Sequence, residues 1–162
     1  MWPLYFAGIL LYEAAIRVAS LFNAKAKLWV AGRKEQQQLW EALKGKNEKR
    51  ILFHCASLGE FEQGRTVLEA LRAEYPDHKI VLTFFSPSGY EVRKNYPLAD
   101  CICYLPADTP GNAERFIKLI NPEYVIFVKY EFWNNYISTL YKNKIPFCLI
   151  SSIFRPDQHF FK

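Results

Sequence analysis

A glutamate that follows a glycine, where a predicted strand passes into a predicted helix, is the sharpest chemical feature of the sequence. The chain reads Ala-Ser-Leu-Gly-Glu over residues 56–60, directly after an apolar run. A carboxylate in the first turn of a helix is held in place, and the helix dipole favours its ionised form. An ionised Glu60 could therefore take a proton from a sugar hydroxyl as a general base. The alternative is structural, because acidic residues in first turns stabilise helices without any chemistry.

A serine-rich turn follows the second predicted strand. Its residues Ser86, Ser88 and Gly89 offer two hydroxyls and a backbone turn that could hold a phosphate or a sugar. Capping of the next helix by serine explains the same residues about as well. Both interpretations stay open on the sequence alone.

Two charged residues follow the fourth and fifth predicted strands. Glu131 precedes the aromatic pair Phe132-Trp133, where it could act in catalysis or cap the next helix. Arg155 could bind a phosphate through two parallel N–H bonds, or it could neutralise a neighbouring carboxylate. His54 lies within a predicted strand, where a histidine is more often a satisfied core residue than a catalyst.

No glycine fingerprint of a nucleotide-binding loop occurs in the sequence, and no cysteine–histidine spacing typical of a metal site. Four cysteines lie in predicted strands: Cys55, Cys101, Cys103 and Cys148. We expect them to be reduced core residues, which favours a reducing compartment such as the cytoplasm. We predict neither a metal site nor a bound cofactor.

Short β-rich runs alternate with helical ones from residue 50 onward, which indicates βαβ units and a parallel sheet. The predicted strands are Ile51–Cys55, Ile80–Phe84, Cys101–Leu105, Tyr124–Val128 and Phe147–Ile150. The predicted helices are Phe61–Tyr75, Ser88–Asn95, Pro110–Ile120 (capped by Asp108 or Thr109) and Phe132–Asn143. Together they predict a Rossmann-like α/β fold, a parallel sheet flanked by helices. Because such sheets bind ligands outside the carboxyl ends of their strands, the candidate residues should meet on one rim.

The first 22 residues are rich in aliphatic and aromatic side chains but carry Glu13 and Arg17. Their uncharged run is shorter than the roughly 20 residues that span a bilayer. We expect an interfacial helix whose apolar side dips into lipid, the alternative being a helix packed on the domain. The side chains expected in lipid are Trp2, Leu4, Tyr5, Phe6, Ile9 and Leu10, and those expected at anionic headgroups are Lys25, Lys27, Arg33 and Lys34.

The size and charge of the chain limit its organisation and its partners. A chain of 162 residues, 51% of them hydrophobic, can bury one core but is too short for two. We therefore predict a membrane-associating helix over residues 1–24 and one Rossmann-like domain over residues 25–162. The formal net charge of +5 favours an anionic partner, although charge alone does not separate phosphates, nucleic acid and membranes.

Taken together, these segments resemble the N-terminal domain of the transferases for Kdo (3-deoxy-D-manno-oct-2-ulosonic acid), over about residues 28–155. The matching pieces are Gly32-Arg33, His54 to Phe61, Thr83 with Ser86 to Tyr90, Leu105 to Asp108, and Glu131-Phe132-Trp133. Their order and spacing in one chain are more specific than any single motif.

The resemblance implies the N-terminal, acceptor-binding half of a GT-B glycosyltransferase, in which two Rossmann-like domains face each other across a cleft. In that family Glu60 would be the general base of an inverting transfer of Kdo from CMP-Kdo to a lipid A precursor, and Glu131 a second acidic residue of the active site. The implied acceptor-binding residues are Ser57, Gly59, Ser86, Ser88, Gly89 and Arg155. The implied location is the cytoplasmic face of the bacterial inner membrane, with no cofactor, no metal and no nucleic-acid partner.

The chain departs from the family pattern in two ways. Before the tryptophan it carries Lys129 where the family commonly has an acidic residue, and Asn134 where the family has proline. The chain also ends at Lys162, where the family's CMP-Kdo-binding domain should begin, so we expect no turnover from this chain alone. A non-catalytic Rossmann-like module that binds a membrane or a phosphorylated lipid is the main alternative, and a flavodoxin-like nucleotide-binding domain is a weaker one.

Overall fold

Five parallel strands form the centre of the protein, in the spatial order β3-β2-β1-β4-β5. The computed structural model describes residues 2–44, 48–129 and 132–153. The strands are β1 (Arg50–Cys55), β2 (Lys79–Phe84), β3 (Cys101–Tyr104), β4 (Tyr124–Val128) and β5 (Phe147–Ile150). The helices are α1 (Trp2–Ala19), α2 (Ala24–Leu43), α3 (Leu58–Glu74), α4 (Pro87–Arg93), α5 (Pro110–Ile120) and α6 (Asn134–Lys142). This strand order is that of a Rossmann-like open sheet, so the predicted fold class is confirmed.

Alternate residues of the strands enter two separate cores, one on each face of the sheet. Leu52 of β1 packs with residues of α5 and α6, whereas its neighbours Ile51 and Phe53 pack with Phe61 and Leu68 of α3. Strands that are buried on both faces read as continuous apolar runs rather than alternating ones. This burial explains why β1 to β4 could be located from the sequence, whereas β5 is apolar although only partly buried.

The predicted helix boundaries differ from the observed ones where caps decide them. Helix α3 begins three residues earlier than predicted, because Ser57 adopts an extended backbone conformation as the N-cap. Helix α5 begins at Pro110 as predicted, and the hydroxyl of Thr109 accepts a hydrogen bond from the amide of Asn112 at 3.3 Å. Of the two predicted caps, Thr109 is therefore the cap of α5.

Helix α2 was not predicted from the sequence. Asn23 caps it, since its side-chain oxygen accepts a hydrogen bond from the amide of Ala26 at 3.1 Å. The residues that α2 buries include Trp29, Gly32 and Gln36. Because the buried face of α2 contains a glycine and a glutamine, the sequence shows no continuous apolar pattern at helical spacing. The helix was therefore not recognised.

Helix α1 lies against the domain on one side and exposes apolar residues on the other. Tyr5 donates a hydrogen bond from its hydroxyl to Asp108 at 2.6 Å, and the ring of Tyr12 stacks on Phe85 at 6.0 Å. The prediction that Tyr5 dips into lipid was therefore wrong, because its hydroxyl is satisfied within the protein. In the described part of the chain no single helix is long and apolar enough to cross a membrane; α1 and the start of α2 would qualify only together, and the chain bends by 113° between them.

Candidate functional site

The loops that follow β1 and β2 are joined at the carboxyl edge of the sheet. The carbonyl oxygen of Ala56 accepts hydrogen bonds from the amides of Phe85 and Ser86, at 3.3 and 2.7 Å. Because β1 and β2 are neighbours in the sheet, this pairing sets the glutamate-bearing loop beside the serine-bearing loop. The predicted meeting of these two segments on one rim is observed.

Glu60 occupies the first turn of α3 and is half-buried there. Its Oε2 atom accepts a hydrogen bond from the amide of Ser57 at 3.1 Å, which is the glutamate half of a capping box. The contact directs the carboxylate back over the helix N-terminus. Glu60 therefore has the structural role that the sequence allowed and lies on the rim, while its role as a general base stays a prediction.

Gly59 is exposed next to Glu60, whereas Gly89 is buried. A Cβ atom at Gly59 would have no atom within 4 Å outside its own helix, so the surface beside the carboxylate is open. A Cβ atom at Gly89 would lie 2.6 Å from Cε1 of Phe84, inside the van der Waals contact distance. Close packing of α4 on β2 therefore accounts for Gly89 without any ligand.

The two serines of the β2–α4 loop are bonded to each other. The Ser86 hydroxyl oxygen accepts a hydrogen bond from the amide of Ser88 at 3.3 Å and lies 3.0 Å from the Ser88 hydroxyl. Ser86 is thus the N-cap of α4, as the structural interpretation of this loop predicts. Both side chains remain partly exposed at the rim, so contact with a ligand stays a prediction.

Two predicted site residues, Glu131 and Arg155, lie outside the described residues. Lys129, the last described residue before Glu131, is closely held, since its amide donates to the Ile150 carbonyl at 2.8 Å and its carbonyl accepts from the Ser152 hydroxyl at 2.7 Å. Lys129 has a φ of 67°, a left-handed conformation that costs a non-glycine residue energy. The carboxyl ends of β4 and β5 are thereby joined at this point.

A chain of aromatic contacts runs from α1 to the centre of the rim, and the sequence analysis missed it. Phe85 contacts Tyr12 of α1 and, with ring centroids 4.9 Å apart, Trp133. Trp133 in turn lies edge-on to His54, at 5.8 Å. His54 itself is fully buried and its Nδ1 lies 2.9 Å from the Thr83 hydroxyl, which is the core placement that the sequence favoured.

Arg33 joins α2 to the ends of β2 and β3. Its guanidinium donates hydrogen bonds to the carbonyl of Phe85 at 3.0 Å and of Leu105 at 3.3 Å, and it stacks 3.6 Å from the Trp29 ring. Burial lowers the pKa of Arg33 to about 10, which still leaves it charged at neutral pH. Arg33 was predicted to meet anionic headgroups at the surface. That placement was wrong, because aromatic rings enclose most of the Arg33 side chain.

Asp108 is fully buried and joins three elements. Besides the Tyr5 hydroxyl, its carboxylate accepts hydrogen bonds from the amides of Asn135 and Tyr136, both at 3.1 Å, at the start of α6. Burial raises the pKa of this carboxyl, although these hydrogen bonds act in the opposite direction. The sequence predicted Asp108 as a possible cap of α5 and as part of a family-matching segment, whereas its hydrogen-bond partners lie in α1 and 27 and 28 residues further along the chain.

The described residues contain no group of three or more His, Cys, Asp or Glu side chains placed to hold a metal ion. The four cysteines are free thiols.

The family model described as 3-Deoxy-D-manno-octulosonic-acid transferase (kdotransferase) matches residues 24–159. The chain is 34% identical over 104 residues to a 3-deoxy-D-manno-octulosonic acid transferase of Haemophilus influenzae, covering 63% of this chain and 24% of that protein. It is 38% identical over 109 residues to the protein of the same name from Aquifex aeolicus, covering 66% and 29%. A probable mitochondrial 3-deoxy-D-manno-octulosonic acid transferase of Arabidopsis thaliana is 31% identical over 103 residues, covering 63% and 23%. The chain thus spans about a quarter of the length of these relatives.

Proposed function

Because the chain belongs to the 3-deoxy-D-manno-octulosonic acid (Kdo) transferase family, we propose that it is the acceptor-binding N-terminal part of a glycosyltransferase of GT-B architecture. The complete enzyme would transfer Kdo from CMP-Kdo to a lipid A precursor. CMP-Kdo would bind to a second, C-terminal domain that faces the carboxyl edge of this sheet.

The position of Glu60 carries the proposal. It stands at the carboxyl edge of the central strand β1, held by the amide of Ser57, with an open helix surface at Gly59 beside it. Carboxyl edges of open α/β sheets are where ligands bind. A carboxylate placed there lies at the edge where a sugar acceptor would bind, and Gly59 beside it adds no side chain.

In the proposed reaction Glu60 accepts the proton of the acceptor hydroxyl. The hydroxyl oxygen then forms a bond to the anomeric carbon of Kdo, while the bond from that carbon to the phosphate oxygen breaks and its electron pair leaves with CMP. Attack opposite the leaving group inverts the anomeric centre. Glu131 would position groups in the cleft, and the acceptor would be held by Ser57, Gly59, Ser86, Ser88 and Arg155.

Helix α1 supports a membrane location for this reaction. Its outer side exposes Leu4, Leu11 and Val18, which are 80%, 72% and 63% accessible and recur every seven residues. The turn after it exposes Leu21 and Phe22, and lysines follow at the start of α2. An apolar stripe next to basic residues is typical of a helix that lies in the membrane interface. The proposed location is the cytoplasmic face of the bacterial inner membrane, where the lipid acceptor would be found.

The test is a transfer assay with CMP-Kdo and a lipid A precursor, using this chain joined to its C-terminal domain in the full-length protein. Glu60→Gln keeps the capping hydrogen bond, since glutamine serves equally in a capping box, but it cannot accept the proton. We expect transfer to fall by about 10²–10⁴-fold, the usual contribution of general base catalysis, with an unchanged melting temperature.

Glu74→Gln is the matched control, because Glu74 is an exposed carboxylate at the other end of the same helix. It should keep full activity. If Glu60→Gln retains most of its rate, the general base is another group. If the unmodified protein transfers no Kdo yet still binds lipid, the non-catalytic module replaces the proposed enzyme.

A further inference from the structure

Helix α1 contacts the carboxyl edge of the sheet through two tyrosines on its inner side. Tyr5 and Tyr12 are separated by about two helical turns, so they lie on the same side of the helix. Tyr5 bonds to Asp108 after β3, and Tyr12 stacks on Phe85 after β2, with ring centroids 6.0 Å apart and an angle of 24° between the rings. Helix α1 therefore touches the segments that follow two strands of the sheet.

The backbone of Phe85 is tied to the loop that carries Glu60. The Phe85 amide donates a hydrogen bond to the Ala56 carbonyl at 3.3 Å. Ala56 is followed directly by Ser57, whose amide donates to the Glu60 carboxylate at 3.1 Å. A displacement of Phe85 would therefore act on the loop of the proposed general base.

The ring of Phe85 is in contact with the start of α6. Its centroid lies 4.9 Å from that of Trp133, which is the N-cap residue of α6 and follows Glu131 by two positions. Trp133 in turn lies edge-on to His54 at the end of β1, at 5.8 Å. Because packed rings leave little free space, a turn of the Phe85 ring would move Trp133 as well.

Tyr12 differs from the other aromatic contacts of Phe85 in its exposure. Trp29, edge-on to Phe85 at 6.2 Å, is only 5% exposed, whereas Tyr12 is 47% exposed. Substitution of Tyr12 should therefore alter the contact with Phe85 without opening a core. Tyr12 also lies outside residues 24–159, the part of the chain that the family model matches.

We propose that Tyr12 is a positioning residue of the acceptor site, because its ring holds Phe85 against Trp133 and so fixes the Ser86 loop and the start of α6. The inference rests on the proposed transfer reaction. It gives α1 a second task beside membrane binding: the inner side of the helix completes the rim. Without the Tyr12 ring, Phe85 turns into the vacated space and the acceptor binds less well. The donor, held by the C-terminal domain, binds as before.

The kinetic test uses the full-length protein in nonionic detergent, so that binding to a bilayer is not required. Initial rates are measured with varied lipid A precursor and varied CMP-Kdo. For Tyr12→Ala we expect the KM for the acceptor to rise about tenfold, as for the loss of one aromatic pair, with an unchanged KM for CMP-Kdo. Partial unfolding would lower kcat but would not raise the KM for the acceptor.

Tyr12→Phe is the conservative variant. It keeps the ring, which is the recorded contact with Phe85, and should restore the kinetics of the unmodified protein. Leu11→Ser together with Val18→Ser is the matched control on the outer side of α1, where both residues are exposed. This double variant should keep full transfer in detergent.

A second measurement reports the contact without any activity. In protein labelled with 5-fluorotryptophan, the ¹⁹F signal of Trp133 is identified by its loss in Trp133→Phe. This signal should shift in Tyr12→Ala and stay in place in Tyr12→Phe. The signal of Trp40, whose ring contacts Phe116 on α5, serves as the internal reference and should not shift.

A raised acceptor KM without a shift of the Trp133 signal would mean that Tyr12 touches the acceptor directly, which overturns the proposal. A shift with unchanged kinetics would overturn it too, and so would an equal loss of transfer in the outer-side double variant. If the unmodified protein transfers no Kdo, the proposed enzyme fails. The Trp133 signal then decides alone whether α1 positions the rim: a shift supports this and a constant signal refutes it.

Discussion

Two glycines of α3, five residues apart, have opposite surroundings. A Cβ atom at Gly64 would lie 2.7 Å from Cγ2 of Val128 and 3.0 Å from the ring of Phe53, whereas one at Gly59 would meet nothing. Gly64→Ala should therefore destabilise the protein by about 1–3 kcal/mol, the usual cost of overpacking a core. Gly59→Ala should leave the protein unchanged or stabilise it by up to about 1 kcal/mol, because alanine is the better helix former.

The measurement is urea unfolding of both variants beside the unmodified chain. Equal stability of the two variants would show that Val128 and Phe53 yield to the added methyl group. A loss for Gly59→Ala would show that its surroundings are tighter than the structure gives them. The pair separates the packing role of one glycine from the open surface that the other leaves beside Glu60.

Glu60 shows where residue-level reasoning from the sequence stops. Its place in a first helical turn after a strand was predicted, because caps and strand ends are local patterns. Its hydrogen bond to the Ser57 amide adds a structural role to the proposed catalytic one. A glutamate can do both, so only a substitution that keeps the cap and removes the base can separate them.

At the level of elements, Asp108 should be the most sensitive junction between α1, α6 and the loop after β3. Asp108→Ala leaves the buried amides of Asn135 and Tyr136 without their acceptor, which should cost on the order of 3 kcal/mol. Tyr5→Phe is the matched control, since it removes only the bond from α1 and should cost about 1 kcal/mol. Thermal or urea unfolding measures both, and a larger loss for Tyr5→Phe than for Asp108→Ala would contradict this account.

The elements differ in how far the sequence predicts them. The five strands and α5 were located within a residue or two, because apolar runs and a Thr-Pro start are local signals. Helix α2 was missed, although Asn23 before Ala24 is a capping signal that could have found it. Its buried face holds Gly32, where a Cβ atom would clash with the Tyr104 ring of β3, and Gln36, whose amide donates to the Gly32 carbonyl. No local pattern records these contacts.

At the level of the whole molecule, the exposed apolar stripe of α1 predicts that the protein binds membranes. Substitutions in this stripe should weaken membrane binding without lowering the stability of the fold. Leu11→Ser together with Val18→Ser should weaken binding to vesicles of anionic phospholipid by at least about tenfold, since each buried aliphatic side chain contributes about 1.5–3 kcal/mol. The melting temperature should not change, because both side chains are exposed. Vesicle co-sedimentation measures the effect.

Val92→Ser is the control for this prediction, because Val92 is 58% exposed on α4, away from α1. It should bind vesicles as the unmodified chain does. Equal losses for the control and the α1 variant would mean that general surface apolarity, rather than α1, drives the binding. High salt should weaken the binding only in part, because screening acts on the basic residues and not on the apolar stripe.

The sequence by itself determined the parallel α/β sheet, the rim at its carboxyl edge and the place of Glu60 on that rim. These follow from local patterns: apolar runs, helix caps and the strict alternation of strands and helices. Only the tertiary structure decided that Asp108 bonds to α1 and α6 and that Arg33 is enclosed by aromatic rings. Those contacts join residues that are far apart in the chain, 103 positions for Tyr5 and Asp108, and nothing local in the sequence specifies which distant groups a side chain will meet.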